Sequence, residues 1–295
     1  MATPTVSQQT WTILTLLNWC TEYLTQKGFD SPRLTTELLL SHVLQCQRID
    51  LYTDFDKPIA SDELMRFKTL LKRRLGHEPL QYILGETEFM GMKFNVDARV
   101  LIPRPETELL VEQIIELSRH SPVYRILDVG TGSGNIALSL AKFIDVCNVD
   151  AIDSSPDALA VAEENLSLHQ LDKKVKFHQI DVLNDRMLLF QEQYDVIVSN
   201  PPYISRSEFA TLQPEVRDFE PRIATTDDKD GMTFFKRLAD IGKKLLTSGG
   251  WMFLEVAYNQ GGKVMTLLMD AGYTRSEAVK DYSNIPRIVK ARWMG

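Results

Sequence analysis

The sequence predicts an α/β protein, most of it a largely parallel sheet of seven strands with helices on both faces, preceded by a small all-helical region. Three observations predict this. From about residue 106 onward, short apolar runs of β type alternate with helical patterns. A glycine-rich turn, Gly130-Thr131-Gly132-Ser133-Gly134, joins one of those runs to a helix. Before about residue 80, apolar residues recur only at helical spacing.

In the amino-terminal part, Trp11, Leu14, Leu17 and Leu24 share one helix face, which stops at Gly28, a residue suited to the position after a helix end. Ser31-Pro32 then predicts an N-cap followed by Pro at the first helical position, with Leu34, Leu38, Leu39 and Val43 on one face. His42 and Cys46 lie four apart, and a buried pair is expected there in preference to a metal site. A third helix starts near Ser61, carries Asp62 and Glu63 in its first turn, and runs past Lys72-Arg73-Arg74 to Gly76. Cations in a last turn suit the helix dipole. A solvated helix end is therefore expected for that basic run.

The texture changes over residues 81–105. Tyr82-Ile83-Leu84-Gly85 and residues 88–94 predict short strands in a linking hairpin. Strands are then expected at 125–130, 149–153, 175–181, 195–199 and 251–257, with helices such as 136–143 and 156–170 between them. Residues 273–280 and 287–293 would add an antiparallel edge. The expected division is a helical region 1–80, a hairpin linker 81–105 and an α/β domain 106–295.

Composition narrows the function classes. With 295 residues and 44% apolar content the chain can bury an ample core. Residues 1–26 hold no Lys or Arg, and Thr interrupts the apolar stretch at 11–17, so neither a signal peptide nor a membrane span is expected. A cytoplasmic location follows as the expectation. Cys20, Cys46 and Cys147 form no Cys-x-x-Cys pair, which argues against a disulfide framework and a zinc knuckle. A net charge of -7, from 33 basic and 40 acidic residues, disfavours broad electrostatic binding to nucleic acid.

The motifs converge on one sheet edge. Residues 126–135 turn sharply from strand to helix, but the third glycine of a dinucleotide fingerprint would fall at Asn135, and no Gly-Lys-Ser/Thr follows. The dinucleotide oxidoreductase reading therefore loses its best motif, and the turn is not a P-loop. About twenty residues on, Asp153 ends a strand, where a carboxylate can accept both hydroxyls of a ribose. The next strand ends at Asp181-Val182, an acceptor for an adenine amino group beside an apolar cover. A single strand-end Asp is better explained as a helix cap. Three consecutive strand ends together describe an adenosine pocket.

The fourth strand end reads Ser199-Asn200-Pro201-Pro202-Tyr203-Ile204-Ser205. Proline removes N–H donors and fixes φ, and a residue before proline is held extended, so the loop is stiff and rich in acceptors. Such a loop suits a planar NH2 group and not a phosphate. Beside an adenosine pocket it points to S-adenosylmethionine and methylation of a planar nitrogen. Asn200 and the Pro201 carbonyl would hold the two hydrogens, and Tyr203 would pack on the flat face.

The chain resembles the HemK/PrmC glutamine methyltransferases. The resemblance rests on Ser31-Pro32-Arg33-Leu34, Glu37-Leu38-Leu39-Leu40, Glu78-Pro79-Leu80-Gln81-Tyr82-Ile83-Leu84-Gly85, Pro103-Arg104-Pro105-Glu106-Thr107-Glu108, residues 128–134, Asn200-Pro201-Pro202-Tyr203 and Glu220-Pro221-Arg222. It covers nearly the whole chain. Asn-Pro-Pro-Tyr is shared with amino-methylating nucleic-acid enzymes; with Pro-Arg-Pro-Glu-Thr-Glu the match is highly specific. The resemblance implies a class I S-adenosylmethionine-dependent methyltransferase, Rossmann-like in fold. Its implied substrate is the glutamine of the Gly-Gly-Gln motif in class-1 peptide chain release factors, and a monomer is expected. By position, Gly130, Thr131, Gly132, Ser133 and Gly134 would wrap the methionine part of the cofactor. Asp153 would take the ribose, Asp181 and Val182 the adenine, and Asn200, Pro201, Pro202 and Tyr203 the glutamine amide. Residues 104–107 would lie near the cofactor, and the helical region would help grip the release factor. No metal site is expected. Two departures stand out: Val182 replaces a frequent aromatic residue, and Thr226-Asp227-Asp228 replaces a glycine-rich stretch.

The sequence leaves three other readings open. One is methylation of an exocyclic amine on a nucleic-acid base, which is also planar and conjugated. The second is adenosine binding without catalysis, and the third is a dinucleotide oxidoreductase.

Overall fold

A computed structural model describes residues 10–184 and 193–295. These divide into two compact units, one ending at Leu84 and the other beginning at Gly85.

The first unit contains five helices among the described residues: α1 (Ile13–Gln26), α2 (Pro32–Leu44), α3 (Asp50–Thr53), α4 (Ser61–Leu75) and α5 (Leu80–Leu84). Its core gathers Leu16, Leu17, Leu24, Leu39, Leu40 and Phe67, each nearly or wholly removed from water. Thr12 caps α1 through its hydroxyl, which accepts from the Thr15 N–H. The buried face of α1 is Ile13, Leu16, Leu17, Cys20 and Leu24, whereas Leu14 is exposed. Leu34 of α2 is likewise exposed, and Thr35, Thr36, Leu39, Leu40 and Val43 turn inward. Apolar spacing locates these helices, but several leucines on each leave the rotation about the axis undecided.

Ser31 stands at the N-cap of α2 and Pro32 at its first position, as expected, while the serine side chain makes no cap bond and its backbone lies in the left-handed region at φ 48. Three further local expectations are corrected. Residues 82–84 lie in α5 and not in a strand, because the Ile83 N–H closes a helical turn on the Pro79 carbonyl and Ile83 enters the helical core. His42 is exposed and Cys46 half-buried, so they form no buried pair. The basic run is not wholly solvated either. Arg74 is buried with its guanidinium over the Phe29 ring, while Arg73 pairs with Glu78 at 2.6 Å.

The second unit opens with a hairpin of β1 (Glu86–Phe89) and β2 (Met92–Asn95), paired antiparallel. Phe89 and Phe94 are buried in the core of this unit, a burial that contributes about 2 kcal/mol each. Asn165 further pins β2 by accepting from the Asn95 N–H and donating to the Asn95 carbonyl. There follow α6 (Pro105–His120), β3 (Arg125–Val129), α7 (Asn135–Phe143), β4 (Asn148–Asp153), α8 (Pro156–His169) and β5 (Val175–Gln179). Then come β6 (Tyr194–Ser199), α9 (Arg206–Phe209), α10 (Pro214–Phe219), α11 (Arg222–Thr225), α12 (Thr233–Leu245), β7 (Leu246–Glu255), α13 (Gly261–Asp270), β8 (Thr274–Lys280) and β9 (Pro286–Arg292).

The sheet runs β5-β4-β3-β6-β7-β9-β8. The first five strands in that order are parallel, and β9 lies antiparallel to both β7 and β8. Along β3, Ile126 faces one core with Leu110, Ile114 and Leu140, while Leu127 and Val129 face the other with Phe235, Leu238 and Val264. Helices on both faces explain why the central strands are continuously apolar. Strand order reverses between β3 and β6, which opens a crevice at their carboxyl ends. Among the described residues no helix is long and apolar enough to cross a membrane.

Candidate active site

At that reversal lies a cavity of about 610 Å³, within the range of a small-molecule site. Its floor is the end of β3, where Gly130, Gly132 and Gly134 all hold positive φ. Gly134 is confined as well as twisted, since a Cβ there would stand 3.2 Å from Leu138 and 3.3 Å from Phe177. At Gly130 and Gly132 a Cβ would meet nothing within 4 Å, so the backbone lies open along the cavity. Beneath the turn, Asp128 is fully buried and accepts from the Thr131 hydroxyl at 2.7 Å; burial pushes its carboxyl up to about 7.

Asp153 ends β4 with its carboxylate accepting the Gly132 N–H and the Ser155 N–H, each at 2.9 Å. Burial pushes this carboxyl above the ordinary range, against the pull of those N–H groups. A carboxylate offers about four lone-pair sites, so acceptor capacity remains on the cavity side. Strand β5 ends at Gln179, earlier than residue 181, with the Ile180 N–H closing the parallel ladder on the Asp153 carbonyl. Asp181 then accepts the Leu183 N–H in a turn, and Val182 lies buried against the cavity.

From β6 come Ser199, whose hydroxyl donates to the Val129 carbonyl at 2.7 Å, and then Asn200, Pro201 and Pro202, all lining the cavity. Asn200 Nδ2 donates to Thr107 Oγ1 at 3.2 Å, and Thr107 in turn donates to Glu255 Oε2 at 2.6 Å. The Tyr203 hydroxyl donates to Glu255 Oε1 at 3.2 Å. Tyr203 packs with the core beneath α12 and does not line the cavity. Its carbonyl accepts from Gln260 Nε2 at 2.9 Å and sits so close to Gly231 that a Cβ there would lie 2.3 Å away.

The cavity thus brings together eight expected positions: Gly130, Gly132, Asp153, Asp181, Val182, Asn200, Pro201 and Pro202. Thr131, Ser133, Gly134 and Tyr203 stand behind its surface. Thr131 is tied to Asp128, Ser133 is buried with its carbonyl bonded by Asn165, and Gly134 is the N-cap of α7. Three walls carried no sequence signal: Arg99-Val100-Leu101, Ile223-Ala224, and Thr233-Phe234 on the first turn of α12. Phe234 supplies the aromatic ring among the described lining residues. Among the described residues no cluster of three or more His, Cys, Asp or Glu could hold a metal ion.

Comparison with known proteins gives this geometry a context. Residues 15–85 match a family model described as PrmC N-terminal domain, and residues 105–214 match one described as methyltransferase small domain. A release factor glutamine methyltransferase of Geobacter sulfurreducens is 38% identical over 288 residues, covering 98% of this chain and 99% of the relative. The chain belongs to the release factor glutamine methyltransferase family. A second member, from Chlorobaculum tepidum, is 39% identical over 95% of this chain and 97% of its own length. A solved methyltransferase of Pyrococcus furiosus shares the fold, with a TM-score of 0.51 at 16% identity, covering 77% of this chain and all of that one.

Set against the family pattern, three features take definite form. The segment 104–107 lies behind the cavity wall: Arg104 pairs with buried Glu220 at 2.6 Å and Thr107 bonds Asn200. Residues Arg99, Val100 and Leu101 occupy the wall itself. In the stretch that replaces the glycine-rich one, the Asp227 carboxylate accepts the N–H groups of Lys229, Gly231 and Thr233, and these bonds hold its carboxyl below the usual range despite burial. An acid thus folds this loop, and Gly231 at φ 75 completes the turn.

Proposed function

We propose that the chain transfers a methyl group from S-adenosylmethionine to the side-chain amide nitrogen of the glutamine in the Gly-Gly-Gln motif of class-1 peptide chain release factors. One observation carries the proposal. A single cavity is lined both by the set suited to adenosine (Gly130, Gly132, Asp153, Asp181, Val182) and by the acceptor loop Asn200-Pro201-Pro202. The names of the full-length relatives supply the substrate class.

The residues fit the cofactor by their chemistry. The open backbone of Gly130 and Gly132 would receive its methionine part, with Thr131, Ser133 and Gly134 shaping the turn from behind. Asp153 has acceptor sites for two ribose hydroxyls, and Asp181 has one for an adenine amino proton. Val182 and Phe234 would enclose the base between apolar surfaces. When bound, S-adenosylmethionine supplies an electrophilic sulfonium methyl.

The chain's own contribution to transfer is positioning. An amide nitrogen is a weak nucleophile because its lone pair is delocalised into the carbonyl. Asn200 Oδ1 and the Pro201 carbonyl would accept hydrogen bonds from its two N–H groups and aim the nitrogen, which on methylation releases one proton to solvent. Fixing the reacting pair in this way supplies a large part of a typical acceleration. Tyr203 would act on the loop through Glu255 and its own carbonyl bond, not through a face presented to the cavity.

The runner-up substrate is the exocyclic amine of a nucleic-acid base, which the same acceptors would fit. The net charge of -7 favours a protein substrate. On this proposal the chain acts as a monomer in the cytoplasm, with release factor as its partner and no nucleic-acid contact. Methyl transfer from labelled S-adenosylmethionine, measured on intact release factor, a Gln-substituted release factor and ribosomal RNA, tests it. Label on intact release factor alone is expected; label on RNA alone would overturn the substrate assignment.

A further inference from the structure

The loop that lines the cavity is anchored from behind by one buried carboxylate. Glu255 ends β7, is 3% exposed, and receives the Thr107 hydroxyl at 2.6 Å on one oxygen and the Tyr203 hydroxyl at 3.2 Å on the other. Thr107 comes from the first turn of α6, where it is 2% exposed. A hydroxyl has one hydrogen to give, and at 2.6 Å from a carboxylate that hydrogen is committed to Glu255. Thr107 can therefore only accept from Asn200. The Asn200 amide must then present Nδ2 to Thr107, at 3.2 Å, because the flipped amide would set oxygen against oxygen.

We propose that Thr107 and Glu255 are positioning residues that lock the Asn200 amide with Oδ1 free to accept a substrate N–H. Glu255 holds the other end of Asn200-Pro201-Pro202-Tyr203 through the tyrosine hydroxyl, so one group sets both ends of the loop. The orientation depends on the carboxylate being ionised. A protonated Glu255 can donate to Thr107, which frees the threonine hydrogen to donate to Asn200 Oδ1 and turns the amide around. Burial pushes the Glu255 carboxyl up to about 7, with Glu106 adding to the rise and Thr107, Tyr203 and Arg287 opposing it. The locked form is therefore lost as pH falls through that value.

The test uses the full chain with S-adenosylmethionine and release factor, and rests on the proposed function only for its transfer arm. Thr107→Val keeps the shape and removes the hydroxyl. It is expected to lower kcat about 100-fold while the Kd for S-adenosylmethionine stays within about threefold. Thr107→Ser restores the acceptor and is expected to recover most of kcat. The wild-type kcat should fall on the acid side of about pH 7, and that limb should vanish in Glu255→Gln, which is itself slow. A structural role alone would move neither the pH limb nor the serine rescue.

An arm without substrate separates this inference from the function. The side-chain 15N–1H pair of Asn200, identified as the one missing in Asn200→Asp, should exchange with water about tenfold faster in Thr107→Val. Unchanged exchange, or wild-type kcat in folded Thr107→Val, overturns the positioning role. Should Thr107→Val fail to fold, Thr107→Ser and the pH limb in Glu255→Gln decide by the same criteria. Faster exchange in a protein whose wild type methylates no release factor would sink the substrate assignment and leave the positioning intact.

Discussion

Asp153→Asn isolates the proposed ribose contact. In the structure both carboxylate oxygens already accept a backbone N–H, from Gly132 and from Ser155 at 2.9 Å each. The asparagine keeps one oxygen and turns the other corner into a donor, which must face either a backbone N–H or a ribose hydroxyl. A hydrogen bond to a charged group contributes about 1.5–3 kcal/mol, and the substitution removes one of them from the ribose. That corresponds to a Kd for S-adenosylmethionine raised roughly 10- to 150-fold. Isothermal titration at pH 8 is the assay, because burial raises the Asp153 carboxyl and the wild type must be ionised for the comparison. At saturating cofactor kcat should change less than about threefold, since a contact shared by ground and transition states leaves kcat alone. A folded variant whose Kd lies within threefold of wild type would refute the ribose assignment, and a lowered kcat at unchanged Kd would move Asp153 to the chemical step.

Phe234→Ala removes the aromatic wall of the cavity and should weaken S-adenosylmethionine about tenfold by titration, the ordinary loss when a base gives up an aromatic partner. Gly231→Ala combines φ 75 with a Cβ 2.3 Å from the Tyr203 carbonyl, and should cost about 2–4 kcal/mol in chemical denaturation along with most of the transfer activity. Asp128→Asn should change the pH dependence of stability. Folding raises this carboxyl from 3.8 to about 7, so its contribution is whole below about pH 4 and lost as pH rises through 7. Relative to wild type the asparagine variant should therefore gain, by up to about 4 kcal/mol, between pH 4 and 8 in denaturant titrations without cofactor.

Much of the fold was legible because its signals are local. Each central strand is a short apolar run closed by a turn, and the glycine turn after β3 announces a strand-to-helix junction within ten residues. Helix rotation was less legible: Leu14 and Leu34 fit an apolar stripe in spacing but lie outside the buried face. Residues 82–84 misled because a three-residue apolar run has no period of its own. In the site, strand-end residues such as Asp153 and Asn200 could be found because topology sends all parallel strand ends to one edge. The anchoring bond between Thr107 and Glu255 joins residues 148 apart, and no local pattern marks it. Tyr203 shows the converse limit, since its place in the motif fixed its importance to the loop but not that its hydroxyl turns inward to Glu255.

The central claim is that the acceptor loop presents a glutamine amide for methylation, and tandem mass spectrometry of the product tests it most directly. Release factor incubated with S-adenosylmethionine and the wild-type protein should carry one added methyl group on the glutamine side-chain nitrogen of Gly-Gly-Gln. The same incubation with Asn200→Ala, which still binds cofactor within about threefold, should yield at least about 100-fold less of that product. A methyl group on any other atom of the release factor, or undiminished product with Asn200→Ala, would contradict the account.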